Sequence, residues 1–266
     1  MASELATTSS EPIARRFGEL RERGRRALVC YATAGHPDPA RFVELARGLE
    51  EAGADVLEVG VPFSDPMADG PIIQGSSQRA LSHGVDFART LALVAECRLG
   101  IPVVLFTYLN PLIAAGPGAL DRGARAGAHG VLVTDLPVGA DPAREAWIGG
   151  GPLAFVRLVA PTTPPARMAE IARHGGGFVY LISRLGVTGV RDDLPPDLPR
   201  TVQRLRDATT LPICVGFGIS RPEQAAAVGR LADGVVVGSA LVRAAGESVA
   251  DALTLTRALR GALDDI

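Results

Sequence analysis

Lysine is absent from this chain of 266 residues: all 27 basic side chains are arginine. A Schiff-base aldolase and a pyridoxal-phosphate enzyme both depend on a lysine amine, so the chain by itself can be neither. GC-rich codon usage, which also fits the abundance of Ala, Gly, Pro and Arg, accounts for the absence, and the chemical exclusion holds whatever the cause. Cysteine is scarce, with Cys30, Cys97 and Cys214 scattered and no Cys-x-x-Cys among them. The four histidines, His36, His83, His129 and His174, share no ligand spacing. A reduced, cytoplasmic protein without a structural metal is therefore expected. No apolar run approaches the ~18 residues that a transmembrane helix needs. A net charge of −2 and a pI near 6.1 give no reason to expect nucleic acid or an anionic membrane as partner. The N-terminus lacks a basic-plus-apolar signal pattern, and residues 1–11 read as a polar tail.

What the chain does hold is apolar sequence in a regular order. Hydrophobic residues make up 47 %, enough for a large core. After a short amphipathic helix, PIARRFGELRERG, apolar runs alternate with helical patterns. The runs are ALVCYATAG, ADVLEVGVPF, IPVVLFTY, AHGVLVTDLP, PLAFVRLVAP, GFVYLIS, LPICVGFG and ADGVVVG. Strands that are apolar on both faces are those of a buried parallel sheet. Eight of them, each followed by a helix and with no composition shift to mark a linker, predict one (β/α)8 TIM barrel over 1–266 with an extra N-terminal helix. Glycines 149–151 should weaken the end of the helix after the fourth strand.

In such a barrel the chemistry sits at the C-terminal ends of the strands. The first strand ends with Tyr31 and Thr33, the third with Phe106, Tyr108 and Asn110, the fourth with Asp135, and the sixth with Tyr180, Ser183 and Arg184. The second carries Glu58, a charge inside an apolar strand where charges are costly. Buried by backbone donors it would be structural; at the catalytic end it reads as catalytic. Asp65 and Asp69 follow on a loop stiffened by Pro62, Pro66 and Pro71. Asp69 could be only an Asp-Gly turn residue, Asp65 a turn or surface residue at an interface, and Tyr180 plain core packing. Asp55, at the start of the strand, reads as a turn residue. The seventh strand ends in Gly216, Phe217 and Gly218 and the eighth in Gly238 and Ser239, each leading into a helix. Tight turns alone would explain those glycines; two converging glycine-rich ends favour a phosphate cradle of backbone N–H groups, with no arginine needed. A long loop from Ser183 to Pro196, with Gly186 and Gly189, is a candidate lid.

The segments LEVGVPFSDPMADGPIIQ, VLVTDLP, LVAPTTP, GFVYLISRLGVTGVR, VGFGIS and VVGSALV, in this order, resemble the tryptophan synthase α-subunit family from about Arg26 to Leu263. The resemblance implies retro-aldol cleavage of indole-3-glycerol phosphate to indole and glyceraldehyde 3-phosphate, late in tryptophan biosynthesis. It assigns Glu58 as acid/base, Asp69 as partner of the indole nitrogen, and Tyr180 as the tyrosine beside the glutamate. It matches Gly189, Phe217, Gly218, Gly238 and Ser239 to phosphate contacts, and Tyr31, Phe106 and Phe217 to the walls around the indole. Thr188 and Gly189 match the closing loop, the threonine orienting Asp69. Asp65, Pro66 and Asp135 match loops that face a β subunit in an αββα complex. No cofactor is implied for this chain; pyridoxal phosphate belongs to the β partner. The chemistry agrees, because without lysine or metal the substrate's own indole ring must serve as electron sink, and burial should raise Glu58 toward the working pH.

Besides glycines 149–151, three positions depart from the family: His36 in place of an aspartate, Arg157 in strand five in place of an apolar residue, and Leu185 in the lid in place of a smaller one. They leave open a free-standing lyase that releases indole, or a non-catalytic activator of a partner synthase; the retained Glu58 and Asp69 argue against the latter.

Overall fold

A computed structural model describes residues 11–182, 195–216 and 218–266. Eight parallel strands pair in chain order and close on themselves: β1 Ala27–Thr33, β2 Val56–Gly60, β3 Val103–Thr107, β4 Gly130–Val133, β5 Ala154–Val159, β6 Val179–Ile182, β7 Ile213–Gly216 and β8 Gly234–Val237. Around them run α1 Glu11–Glu22, α2 Pro39–Glu51, α3 Pro71–Ser82, α4 Phe87–Cys97, α5 Leu109–Ala115, α6 Ala119–Arg125, α7 Pro142–Gly149, α8 Pro165–Arg173, α9 Leu198–Arg206, α10 Pro222–Gly229, α11 Ser239–Glu247 and α12 Val249–Asp264. The expected (β/α)8 barrel with its extra N-terminal helix is what forms. Among the described residues no helix is long and apolar enough to cross a membrane.

Local rules set the helix starts. Asp38, Asp86 and Asp141 each cap a helix by accepting the backbone N–H three residues on. Proline stands in the first turn of α2, α3, α7, α8 and α10, where its missing N–H has no partner to lose. α7 stops at Gly149 with Gly150 as its C-cap, as the glycine run predicts.

Alternation along the strands divides the core in two. One cluster lies between strands and helices; the other fills the barrel interior with Val29, Val56, Val104, Leu132, Val156, Tyr180, Cys214 and Val236. Ile13, Phe17 and Leu20 of α1 belong to this inner cluster, and the Phe17 ring packs on Phe178 with centroids 5.8 Å apart. α1 therefore closes the N-terminal end of the barrel, each of its three side chains contributing about 1.5–3 kcal/mol by burial.

Two sequence readings are corrected. Asp55 is no turn residue: it is 1 % exposed, accepts the Leu28 N–H at 2.8 Å, and pairs with Arg16 at 2.6 Å and Arg260 at 3.1 Å. It ties β1, α1 and α12 to the foot of β2. The stretch LNPLIAA forms α5, which the pattern of strand-plus-helix units does not separate from the connection after β3.

Candidate active site

Glu58 faces into the barrel, between Val56 and Gly60 on the same side of β2, while Leu57 and Val59 pack outward. It is 1 % exposed, and its Oε1 has no hydrogen-bond partner among the described residues. Burial without compensation penalises the charged form and pushes the carboxyl up to about 8. A carboxyl held this way carries a proton at neutral pH and can give it up.

Two tyrosines flank this carboxyl by the same device. Tyr31 on β1 is in register with Glu58, and its hydroxyl lies over Gly60, two residues further along β2. Tyr180 on β6 is in register with Cys214, and its hydroxyl lies over Gly216, again two residues on. A Cβ at either glycine would collide with the phenol oxygen. Burial raises both phenols, and the charge of Glu58 adds to the rise at Tyr180. Both therefore stay neutral hydroxyls. Tyr31 also meets Phe106 edge-on, centroids 5.3 Å apart.

Asp69 sits on the loop between β2 and α3, half-buried, and burial lifts it to about 6 while a hydrogen bond from Tyr108 works in the opposite direction. The same Tyr108 oxygen accepts the Ala68 N–H at 2.9 Å, and its ring packs on Phe63 at 5.2 Å. From the other side Gln74 on α3 donates to the Asp69 carbonyl at 2.8 Å. Tyr108 is thus the anchor of the loop. The sequence places it at a strand end and gives it no role; its hydroxyl there is the only signal.

Tyr31, Glu58, Asp69, Phe106, Tyr180, Gly218, Gly238 and Ser239 line one cavity at the C-terminal mouth of the barrel. Ile72, Ile73 and Arg243, which the sequence does not single out, line it too. The two glycine-rich ends differ from each other. α11 opens at Ser239 directly after Gly238, whereas α10 opens only at Pro222. The N–H groups of Ser220 and Arg221 at that second start are taken by Gln224 Oε1, at 2.9 and 3.1 Å. Of the two helix starts, only that of α11 directly follows its glycine; Gly218, on the other strand end, has a φ of +86°, which requires glycine.

Phe217, Thr188, Gly189, Arg184 and Leu185 lie outside the described residues. Asp65 and Asp135 are exposed, away from the cavity lining. Asp135 accepts the Leu109 N–H at 2.8 Å and so caps α5. Among the described residues no three His, Cys, Asp or Glu side chains gather to hold a metal. Arg157 points outward into a second cavity between α7 and α8, over the Phe155 ring, with its donors on Glu145, the His174 carbonyl and the Leu136 carbonyl. It is a satisfied structural cation, remote from Glu58. His36 bonds the Val242 carbonyl of α11 at 3.3 Å.

The family model for the tryptophan synthase alpha chain matches residues 17–262. The tryptophan synthase alpha chain of Citrifermentans bemidjiense is 48 % identical over 87 % of this chain and 88 % of its own. That of Laribacter hongkongensis is 47 % identical over 94 % and 97 %. Among solved structures, tryptophan synthase subunit alpha of Legionella pneumophila superposes with a TM-score of 0.87 at 35 % identity, covering 96 % of this chain and 99 % of that one. A Mycobacterium tuberculosis tryptophan synthase superposes equally well, TM-score 0.87 at 36 % identity, covering 94 % and 97 %. On this match across nearly its whole length, the chain belongs to the tryptophan synthase alpha chain family.

Proposed function

We propose that the chain cleaves indole-3-glycerol phosphate to indole and glyceraldehyde 3-phosphate, with Glu58 as acid/base and Asp69 as the electrostatic partner of the indole nitrogen. The observation that carries this reading is the Glu58 carboxyl: buried, without a partner at Oε1 among the described residues, raised to about 8, and in one cavity with Asp69. Protonated Glu58 delivers its proton to indole C3, which draws the ring π electrons into the new C–H bond and leaves the nitrogen positive. Ionised Asp69 stabilises that charge. The Glu58 carboxylate then takes the proton of the C3′ hydroxyl. The C3–C3′ bond breaks, its electron pair restores the aromatic ring, C3′ becomes the aldehyde, and Glu58 ends protonated as it began. Tyr31, Phe106 and Tyr180 form the walls around the ring, and Gly218, Gly238 and Ser239 meet the phosphate. Thr188, Gly189 and Phe217 complete the pocket in this reading. No step needs a cofactor on this chain.

Asp65, Pro66 and Asp135 then belong to the face that meets a pyridoxal-phosphate β subunit in an αββα complex. That face has an apolar component: among the described residues, the large hydrophobic side chains left exposed are Met67, on the loop of Asp65, and Ile113, on the helix that Asp135 caps. Indole release by wild type and Glu58→Gln, each with and without a β subunit, tests both statements. Loss of about 10²–10⁴ in rate in the variant supports the acid/base role, and equal rates end it. A β subunit that neither co-elutes nor accelerates the wild type removes the partnership and leaves a free-standing lyase.

A further inference from the structure

The cavity is electrically lopsided. Its acids, Glu58 and Asp69, belong to β2 and the loop after it, while two strands round the barrel, past β1, the wall is built from the start of α11 and carries Arg243. Arg243 is four residues beyond Ser239, hence on the same face of the nine-residue α11 and one turn deeper. Helical side chains lean toward their N-terminus, which directs this guanidinium at the glycine–serine turn that opens the helix. Arg243 lines the cavity together with Gly218, Gly238 and Ser239, and among the described residues it has no ion pair or hydrogen bond, not even with Glu247 one turn further on. Chain-borne partners occupy the other arginines with clear structural roles, such as Arg157 and Arg260. An exposed cation left unengaged on the wall of this cavity, beside the start of a helix, is a site for an anion.

We propose that Arg243 pairs with the phosphate dianion of the substrate, adding a full charge to a cradle otherwise made of backbone N–H groups, and so discriminates phosphorylated from unphosphorylated substrates. The inference rests on the lyase reading above. It assigns direction as well as affinity: ionised Asp69 repels the phosphate, Arg243 and the positive end of α11 attract it, and the indole is left against Glu58 and Asp69. Arg243 binds substrate and takes no part in proton transfer. Its removal should act on KM and spare kcat.

The test compares wild type, Arg243→Gln and Arg243→Lys on indole-3-glycerol phosphate and on its dephosphorylated analogue, with inorganic phosphate as a second probe. Arg243→Gln should raise KM for the phosphorylated substrate roughly tenfold with kcat within about twofold, and weaken phosphate binding by a similar factor. Arg243→Lys should recover most of the loss, since the charge returns without the fork. The penalty should shrink as salt rises toward 1 M, where the screening length falls to about 3 Å, and turnover of the dephosphorylated analogue should not change. An unchanged KM and unchanged phosphate affinity in a normally cleaving Arg243→Gln protein overturn the proposal. A wild type that binds phosphate through Arg243 but cleaves nothing would instead overturn the lyase reading, so the two failures are distinct.

Discussion

Asp55 and Glu58 lie three positions apart at β2, and each is 1 % exposed, yet the chain treats them in opposite ways. Asp55, at the foot of the strand, is surrounded by donors: one backbone N–H and two arginines. Glu58, near the mouth, has an oxygen that nothing among the described residues satisfies, and burial lifts it to about 8. A buried charge either receives its counter-charges or gives up ionising. The first outcome makes a joint between elements; the second makes a group able to exchange a proton near neutral pH. The same barrel thus separates stability from catalysis along a single strand.

The sharpest way to break that comparison is to neutralise each acid in turn and measure unfolding. Asp55→Asn leaves Arg260 and Arg16 facing a neutral amide, and should cost about 3–5 kcal/mol in denaturant unfolding. Glu58→Gln should cost no stability. Its sign follows from the shift: a carboxyl raised in the folded state binds its proton more tightly there than in the unfolded chain. The stability this contributes is present below the unfolded value near 4.5 and is lost as pH climbs through about 8. The amide of the variant cannot ionise, so Glu58→Gln should gain on the wild type as pH rises through that window. Equal losses from both substitutions would erase the distinction between the two acids.

Next in size is Asp69→Asn, which keeps the shape and removes the charge proposed to face the indole nitrogen. The expected loss in kcat is about 10²–10³, read from indole release, with the fold intact by circular dichroism. A smaller effect belongs to Tyr108→Phe, which deletes the acceptor for the Ala68 N–H and the donor to Asp69. Losing that donor should raise Asp69 further above its ordinary value and lower activity on the order of tenfold, about 1.4 kcal/mol. A Tyr108→Phe protein with an unaltered acid limb of its pH–rate profile would show that the loop is held by other means.

Much of this is legible in the residues alone, and the gaps have physical causes. Strands apolar on both faces announce a buried parallel sheet, and a glutamate inside one of them is conspicuous because its cost is local. Asp55 passes for a turn residue because what it does depends on Arg16 and Arg260, 39 and 205 positions away, which no spacing rule connects. Helix α5 is hidden because Asn110 and Pro111 look like breakers; Pro111 falls in the first turn, where an N–H has no partner to lose, and Asp135 supplies the cap from across the loop. Tyr108 stands at a strand end in the sequence and gains its role only when the loop of Asp69 folds over it. Arg243 is not singled out by the sequence, since only the closed barrel brings it into one cavity with Gly218.

The most direct measurement is the pH dependence of kcat/KM for indole-3-glycerol phosphate in the wild type. Cleavage that needs the Glu58 proton should fall about tenfold per unit once pH passes about 8. A rate that stays level to about pH 10, or a controlling limb near the ordinary carboxylate value of about 4.3, would show that this buried carboxyl is not the group that moves the proton.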